Sequence, residues 1–345
     1  MSVAIIFGSK SFEHEISIVS AIAMKDIIKK DLIYIFIDKN KEFFQIPLTK
    51  IKSTLFSSGE YKKCERLDLM QGGFYKNSMF GKKNLEFEYL LNLVHGADGE
   101  DGTLASLFDF FNVPFVGPRV EASVLSNNKY FTKNYAKDCD VKTVECKHFK
   151  RGDTIVVDTY PVIIKPVRLG SSIGVSIVKE QSELAYAIDV AFEFDNEIII
   201  EPFIENVKEY NLAGCKLKNE FIFSIIEEPQ KDEFLDFDKK YLDFNRTSQV
   251  SSADLDTNLE FKLKQSFQKL YNHTFEGSLI RCDFFIIDDE IYLNEINSIP
   301  GSMANYLFED FDNILNSLSQ SLPPKKKINV TYDYVNKIQS AKGKV

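Results

Sequence analysis

The chain has 345 residues, of which 44% are hydrophobic and 27% charged, and its net charge is −9 at pH 7. This length allows two or three domains with ample core, and the composition is that of an ordinary globular protein. The negative balance argues against nonspecific binding to nucleic acid or to anionic membranes. No stretch approaches 18 uncharged apolar residues, so we expect no membrane-spanning helix. Five scattered cysteines without a C-x-x-C pair indicate reduced thiols in a cytoplasmic protein.

The first part of the chain, up to about residue 117, alternates short apolar strands with helices. Residues 3–7, 32–37, 89–94 and 113–116 have the composition of strands, and 16–28 and 103–111 have helical spacing. This alternation predicts an open parallel α/β sheet. Ligands of such sheets bind outside the carboxyl ends of the strands, where the loops 8–14 and 95–102 fall. The stretch 40–88 gives no readable pattern.

The dipeptide Gly117-Pro118 marks the next boundary. A compact α+β unit follows, with predicted helices at 128–138 and 182–192 and strands at 162–165, 175–178 and 197–203. After it come strands 210–215 and 220–228, a polar segment 229–256 that has the length of a lid or of a surface loop, and a helix at 259–271. Two further strands and a helical C-terminal part complete the chain.

These two strands, within 278–285 and 292–302, form a predicted hairpin with a polar face. Side chains alternate along a strand, so Arg281 and Asp283 share one face, and Glu295 and Asn297 share another. A three-residue loop at 288–290 would bring all four side chains to the same side. A loop of two or four residues would separate them.

Two carboxylates, one amide oxygen and one guanidinium on a shared face suit Mg²⁺ that carries a polyphosphate. The alternative is the solvated polar face of an ordinary hairpin, which has the same residue types. The residues alone leave both readings open.

A second candidate lies between strands 162–165 and 175–178. Gly170 and Gly174 allow close approach of the backbone, successive N–H groups can hold a phosphate, and the hydroxyls of Ser171 and Ser172 add donors. Lys165 precedes the glycines and no G-K-[ST] follows, so the segment is not a Walker A loop. A plain tight turn would have the same composition.

Three further segments have both a structural and a functional interpretation. Glu13 either stabilises the start of the first helix or receives a ligand ammonium at a strand end. Glu201 and Glu209 either end an edge strand or offer groups to a nucleoside. His95 opens a loop with three glycines and is either a satisfied loop histidine or a ligand contact.

In this order, these segments resemble the D-alanine–D-alanine ligase family of ATP-grasp enzymes, from about residue 2 to residue 308. The resemblance implies a Rossmann-like N-terminal domain (1–117), a central ATP-grasp domain (118–204) and a C-terminal, metal-binding ATP-grasp domain (205–345). It implies ATP-dependent ligation of two D-alanine molecules through an acylphosphate, for peptidoglycan precursor synthesis. It also implies a cytoplasmic homodimer with no nucleic-acid or membrane partner.

The resemblance further assigns roles to individual residues. It implies that ATP is bound by Lys129, Lys165, Gly170, Ser171, Ser172, Glu201, Ile204 and Glu209. It implies that two Mg²⁺ ions, or Mn²⁺ in their place, are held by Asp283, Glu295 and Asn297. It implies catalytic roles for Glu13, Ser171, Tyr241, Arg281 and Gly301, and substrate contacts for His95, Lys240 and Tyr306.

One departure bears on the second substrate. Tyr306 stands five residues after Gly301, where many members of the family place a serine that holds the carboxylate of this substrate. Another acceptor, D-lactate or D-serine, therefore stays an alternative, although Tyr241 is the residue of members that make the dipeptide. A catalytically inactive nucleotide-binding homologue is a further alternative. The retained Arg281 and Asp283 argue against it.

Overall fold

The computed structural model describes residues 2–229, 250–272, 274–325 and 327–342. The predicted lid segment falls largely in the gap between the first two ranges, so Lys240 and Tyr241 lie outside the described residues. Within the described ranges, no helix is both long and apolar enough to cross a membrane.

The N-terminal region contains strands and helices in alternation, as predicted, together with a group of strands in the stretch 40–88. The helix expected at 16–28 ends at Ala23 and continues as a 3₁₀ turn, Met24–Asp26. The elements are β1 (Val3–Gly8), α1 (His14–Ala23), β2 (Leu32–Ile37), β3 (Phe43–Ile46), α2 (Ser53–Ser57), β4 (Glu65–Met70), β5 (Gly73–Ser78), β6 (Gly81–Asn84), β7 (Tyr89–Asn92), α3 (Thr103–Phe110) and β8 (Phe115–Val116).

These strands form one sheet of eight, in the order β6-β5-β4-β3-β2-β1-β7-β8. β2, β1, β7 and β8 are parallel, which confirms the predicted α/β sheet. β3 to β6 extend it as antiparallel strands from the stretch that gave no pattern. β6 is exposed along its whole length and β5 is buried only at Gly73 and Phe74, so neither shows the apolar periodicity by which strands are recognised.

β1 lies between β2 and β7 in this sheet and is buried along its whole length. Phe7 packs into the core on one face of the sheet, and Ile6 packs into the core on the other. A strand covered on both faces has a continuous apolar run, as β1 does. Because β1 and β7 are parallel neighbours, the loops at their carboxyl ends, 8–14 and 95–102, meet at one edge.

The middle of the chain forms a four-stranded antiparallel sheet, in the order β10-β13-β11-β12, with a helix packed on it. This is the compact α+β unit expected from the sequence. The elements are α4 (Val120–Asn127), α5 (Lys129–Asp138), β9 (Lys142–Thr143), β10 (Lys147–Lys150), β11 (Val162–Pro166), β12 (Ser176–Val178), α6 (Gln181–Phe194) and β13 (Glu197–Pro202).

The remaining strands form a five-stranded sheet, in the order β15-β14-β16-β17-β9. β9 belongs to the predicted central domain but pairs with β17, and the domain boundaries 1–117, 118–204 and 205–345 stay a prediction. The elements are β14 (Lys208–Leu217), β15 (Glu220–Glu227), α7 (Thr257–Tyr271), β16 (Ile280–Ile287), β17 (Glu290–Asn297), α8 (Phe311–Ser319) and α9 (Asp333–Lys342).

The β16–β17 hairpin differs from its prediction in one respect. Its loop has two residues, Asp288 and Asp289, because Ile287 pairs with Glu290, so the three-residue loop was wrong. Both loop residues have positive φ (50° and 61°), as in the turns that suit the twist of a hairpin.

A β-bulge compensates for the shorter loop. The register shifts between Asp283 and Phe284, because Phe284 pairs with Leu293 while Asp283 pairs with Glu295. The extra residue, Asn294, shifts the pairing of the residues that follow it by one position. Glu295 and Asn297 therefore point to the same face as they would after a three-residue loop. Asp283 therefore faces Glu295 despite the two-residue loop.

Close packing at the end of β1 generates a stability prediction. Gly8 has a φ of +97°, and a Cβ there would lie 2.4 Å from the Ile37 carbonyl oxygen. Gly59 has a φ of +73° with nothing within 4 Å, so it isolates the backbone cost alone. We expect Gly59→Ala to lower the free energy of unfolding by about 1 kcal/mol and Gly8→Ala to lower it several-fold more. Urea unfolding of both variants measures this difference, and equal losses would contradict the close contact.

Candidate active site

The four polar residues of the β16–β17 hairpin lie together on one face. Asp283 is buried and accepts hydrogen bonds from Arg281 Nε (2.7 Å) and Nη2 (2.8 Å), and Asn297 Nδ2 donates to Asp283 Oδ2 (3.0 Å). Glu295 pairs with Asp283 across the ladder, and Asn297 pairs with Arg281. The structure thus brings together the side chains to which the sequence assigned the metal.

The charges on this face depend on one another. Burial raises the pKa of Asp283 to about 6, although the Arg281 guanidinium opposes this rise and Glu295 adds to it. Burial alone would lower the pKa of Arg281, but the Asp283 carboxylate outweighs it and keeps the guanidinium charged. A cation placed beside these carboxylates would favour their charged forms, because it offsets both burial and mutual repulsion.

The donor set fits a hard divalent cation. Carboxylate and amide oxygens are the ligands that Mg²⁺ prefers, and the ion keeps several waters or phosphate oxygens. Within the described ranges, no group of three or more His, Cys, Asp or Glu side chains could hold a metal by itself. A cation at Asp283 and Glu295 would therefore depend on a bound phosphate and on water.

Glu201 lies between two lysines at the end of β13. Its carboxylate, 3% exposed, forms ion pairs with Lys165 Nζ (2.9 Å) and with Lys133 Nζ (2.8 Å). Burial alone would raise the pKa of Glu201, but the two ammonium groups outweigh it and the pKa is lowered. Sequence reasoning missed Lys133, although it stands four residues after Lys129 on the same face of α5. The network fixes the position of the Lys165 ammonium group at the end of its side chain.

The Gly170–Gly174 loop has the backbone of an anion-binding turn. Ser171, Ser172 and Gly174 all have positive φ (54°, 57° and 70°), and serine rarely adopts this conformation. Consecutive N–H groups in such turns form concavities that bind anions. Lys129 Nζ donates a hydrogen bond to the Leu169 carbonyl immediately before the loop.

Glu13 lies where the first domain meets this loop. Glu13 is 6% exposed, its Oε1 accepts a hydrogen bond from Ser171 Oγ (2.6 Å), and its Oε2 has no hydrogen-bond partner among the described residues. A Cβ on Gly96 or Gly170 would lie 2.9 Å and 2.8 Å from its carboxylate oxygens, so a larger residue at either position would displace this carboxylate. Burial raises the pKa of Glu13, while Ser171 opposes that rise. A buried carboxylate oxygen without a donor suits a ligand cation.

His95 lies next to the segment that begins at Gly301. Its Nε2 is 3.1 Å from Ser20 Oγ, and Ser20 Oγ also accepts a hydrogen bond from the Ser302 N–H (3.2 Å). Tyr306 is buried in this segment, and its hydroxyl lies 3.5 Å from Glu227 Oε2. Ser20 and Glu227 are contacts that sequence reasoning did not find, because they depend on the tertiary packing of α1 and β15.

The remaining predicted contacts among the described residues are Ile204 and Glu209. Ile204 packs against a small apolar cluster of Val144, Val207 and Phe285. Glu209 is half-buried on β14, two residues before Asn211. An apolar cluster and a half-buried carboxyl group are therefore found at the two positions to which the resemblance assigns nucleoside contacts.

Glu100 is a buried carboxyl group that sequence reasoning did not single out from its glycine-rich loop. Its Oε2 accepts a hydrogen bond from the Gly96 N–H (2.8 Å), and burial followed by repulsion from Glu13 raises its pKa well above the ordinary value. It lines a cleft of about 50 Å³ together with Lys129 and Glu295. Residues from all three predicted domains therefore meet at this cleft.

The buried His95 generates a pH prediction. Burial lowers the pKa of His95 to about 4, whereas an unfolded histidine has a pKa of about 6.5. Between these values the unfolded chain binds a proton that the folded chain does not, so stability falls as the pH drops. Compared with His95→Gln, we expect the wild type to lose about 2 to 3 kcal/mol more between pH 7 and pH 4.5. Urea unfolding at both pH values measures this, and equal losses would contradict a neutral, buried imidazole.

Family models and known proteins agree with this geometry. The model described as D-ala D-ala ligase N-terminus matches residues 2–118, and that described as D-ala D-ala ligase C-terminus matches residues 138–311. The D-alanine–D-alanine ligase of Sulfurovum sp. (strain NBC37-1) is 58% identical over 346 residues, with 100% of both chains covered. That of Wolinella succinogenes is 56% identical over 345 residues, again with 100% of both covered.

Solved structures give the same result. The D-alanine–D-alanine ligase of Helicobacter pylori superposes with a TM-score of 0.85 at 48% identity, and the match covers 94% of this chain and 100% of that one. The VanG D-Ala:D-Ser ligase of Enterococcus faecalis gives 0.71 at 25% identity over 93% and 97% of the two chains. These matches confirm the expected fold class, a Rossmann-like domain followed by a two-domain ATP-grasp fold. The chain belongs to the D-alanine–D-alanine ligase family.

Proposed function

We propose that this chain joins two D-alanine molecules with ATP, through an acylphosphate, and releases ADP, phosphate and D-alanyl-D-alanine for peptidoglycan precursors. One observation carries the proposal. Glu295 and Asn297 of the hairpin face and Gly170 of the loop after Lys165 line a single cleft, and Glu13 is hydrogen-bonded to the next residue of that loop, Ser171. A reaction that transfers a phosphoryl group to a small amino acid needs these three sites side by side.

ATP binds, in this proposal, between the central and C-terminal sheets. Lys129, Lys165 and the backbone N–H groups at Ser171 and Ser172 hold the phosphates, and Gly170 allows the loop to approach them. Glu201 and the backbone of Ile204 meet the adenine, and Glu209 meets the ribose. The ion pairs of Glu201 and the apolar cluster at Ile204 support this placement.

Asp283, Glu295 and Asn297 would hold the divalent cations, which we propose are two Mg²⁺ ions, with Mn²⁺ able to replace them. Bound there, they would neutralise charge on the transferred phosphoryl group. Arg281 does not depend on them for its orientation, because two hydrogen bonds to Asp283 already fix its guanidinium.

The first D-alanine, in this proposal, places its ammonium at Glu13 and lies beside His95. The Oε2 of Glu13, which has no hydrogen-bond partner in the described part of the chain, supports the ammonium site. Ser171 ties this carboxylate to the phosphate loop, so the amino-acid site and the phosphate site share a contact. We extend this link to Tyr241, which lies outside the described residues.

The chemistry follows from the weak electrophilicity of a carboxylate. Transfer of the γ-phosphoryl group to the carboxylate of the first D-alanine makes an acylphosphate. The amine of the second D-alanine then attacks its carbonyl carbon, the C–N bond forms, and the C–O bond to phosphate breaks. Arg281 and the Gly301 N–H stabilise the oxyanion between these events, and removing one such donor typically costs about 3 to 4 kcal/mol.

The second D-alanine would lie near Tyr306, with Lys240 as a further contact outside the described residues. D-lactate and D-serine are the alternative second substrates, and either would bind at this same position. We also propose a cytoplasmic homodimer, which rests on the family resemblance.

Turnover with D-alanine tests the proposal. We expect ADP release that requires both D-alanine and Mg²⁺, a product with the mass of the dipeptide, and no release with L-alanine. Asp283→Asn and Arg281→Ala should each lower kcat at least 100-fold while the protein stays folded. Glu290→Gln is the matched control, because Glu290 is an exposed carboxylate on the same strand as Glu295.

Two results would contradict parts of this proposal. Retained activity in both Asp283→Asn and Arg281→Ala would refute the roles assigned to the hairpin. An assay with mixed acceptors identifies the second substrate from the mass of the product. A product that is mainly the D-lactate ester or the dipeptide with D-serine would exclude D-alanine as the preferred nucleophile.

A further inference from the structure

Four polar side chains form a continuous row across the C-terminal sheet. Glu227 on β15 pairs with Asn211 on β14, Asn211 pairs with Asp283 on β16, and Asp283 pairs with Glu295 on β17. Residues paired in register on neighbouring strands point to the same face. The proposed function uses only the last two members of this row, at the side of the cleft.

Asn211 has an unusual environment for an amide. It is 6% exposed, and its Nδ2 donates a hydrogen bond to Glu227 Oε2 (3.3 Å). Its Oδ1 is buried and has no hydrogen-bond partner among the described residues. A buried acceptor without a donor typically costs about 1 to 3 kcal/mol, so this oxygen indicates a donor that binds with the substrates. The bond to Glu227 fixes which end of the amide is left for that donor.

The neighbours of Asn211 restrict what this donor is. Asp283 stands beside it, and both Asp283 oxygens already accept bonds from Arg281 while Asn297 donates to one of them. A carboxylate offers about four lone-pair positions, so Asp283 can still coordinate a cation. Asn211 and Asp283 are paired on neighbouring strands, whose backbones lie about 4.8 Å apart. A water on Mg²⁺ spans a similar distance, with about 2.1 Å to the ion and about 2.8 Å to an acceptor.

We propose that Asn211 is a positioning residue that accepts a hydrogen bond, through Oδ1, from a water bound to the divalent cation held by Asp283. This inference rests on the proposed function, because it needs a cation at Asp283. Glu227 contributes indirectly, because its hydrogen bond orients the Asn211 amide. Residues that contact the ligands of a metal, and not the metal itself, typically change metal affinity about 10- to 100-fold.

Direct metal binding in the presence of ADP tests this inference without reference to turnover. Mn²⁺ replaces Mg²⁺ as the probe, and electron paramagnetic resonance measures free Mn²⁺ in titrations of the full-length protein with saturating ADP. We expect Asn211→Ala to raise the Kd of Mn²⁺ at least 10-fold and to leave ADP affinity without metal unchanged. Asn316→Ala is the matched control, because Asn316 also has a buried Oδ1 without a partner but lies on α8, outside the row.

The outcomes separate this inference from the proposed function. An unchanged Mn²⁺ Kd in a folded Asn211→Ala protein overturns the inference and leaves the ligase proposal intact. A wild-type chain without D-alanine-dependent ADP release overturns the ligase proposal itself. If Asn211→Ala does not fold, Asn211→Leu fills the same volume without the oxygen and must show the same loss of Mn²⁺ affinity. An equal loss in Asn316→Ala would also overturn the inference.

Discussion

The register of the β16–β17 hairpin decides whether this cleft can exist. Side chains alternate faces with a period of two, so a slip of one residue would turn Glu295 and Asn297 away from Asp283 and Arg281. The two-residue loop alone would produce this slip, and the bulge at Asn294 cancels it. Bulges next to active sites commonly re-aim a side chain in this way. The oxygen-rich face therefore depends on one additional residue in β17.

Around this face the protein buries several ionisable groups, although burial of a charged group lowers the stability of the fold. Burial raises the pKa values of Glu13, Glu100 and Asp283, and it lowers that of Lys129. Such groups are costly to bury unless ligands compensate them, and perturbed groups in a cleft are typical of functional sites. The excess of carboxylates at one end suits cations, and the lysines and turn N–H groups at the other end suit phosphates. A nucleotide with its metal presents both charges in that order.

The sequence predicted which residue types share the hairpin face, but it did not predict all of the strands, tertiary contacts and the bulge that position them. Alternating strands and helices identified the parallel half of the first sheet, and residue types identified the hairpin face. The antiparallel half was missed because β6 is exposed throughout and β5 is buried only at its first two residues, so neither shows a periodic apolar pattern. Sequence reasoning missed three residues whose roles depend on partners from distant segments. Lys133 pairs with Glu201, Glu100 is repelled by Glu13, and Asn211 is paired with Asp283. The correct pairing of Asp283 with Glu295 was reached through a wrong loop length, since single-sequence patterns do not reveal a bulge.

The central claim is that the hairpin face gathers a divalent cation beneath a nucleotide held by Lys165. Anomalous diffraction from a crystal grown with ADP and Mn²⁺ tests it most directly, because the manganese signal locates the ion without assumptions about its ligands. We predict a peak in contact with Asp283 and Glu295 and adjacent to the terminal ADP phosphate. A bound ADP with no anomalous peak at these residues, or with the peak elsewhere, would contradict the account.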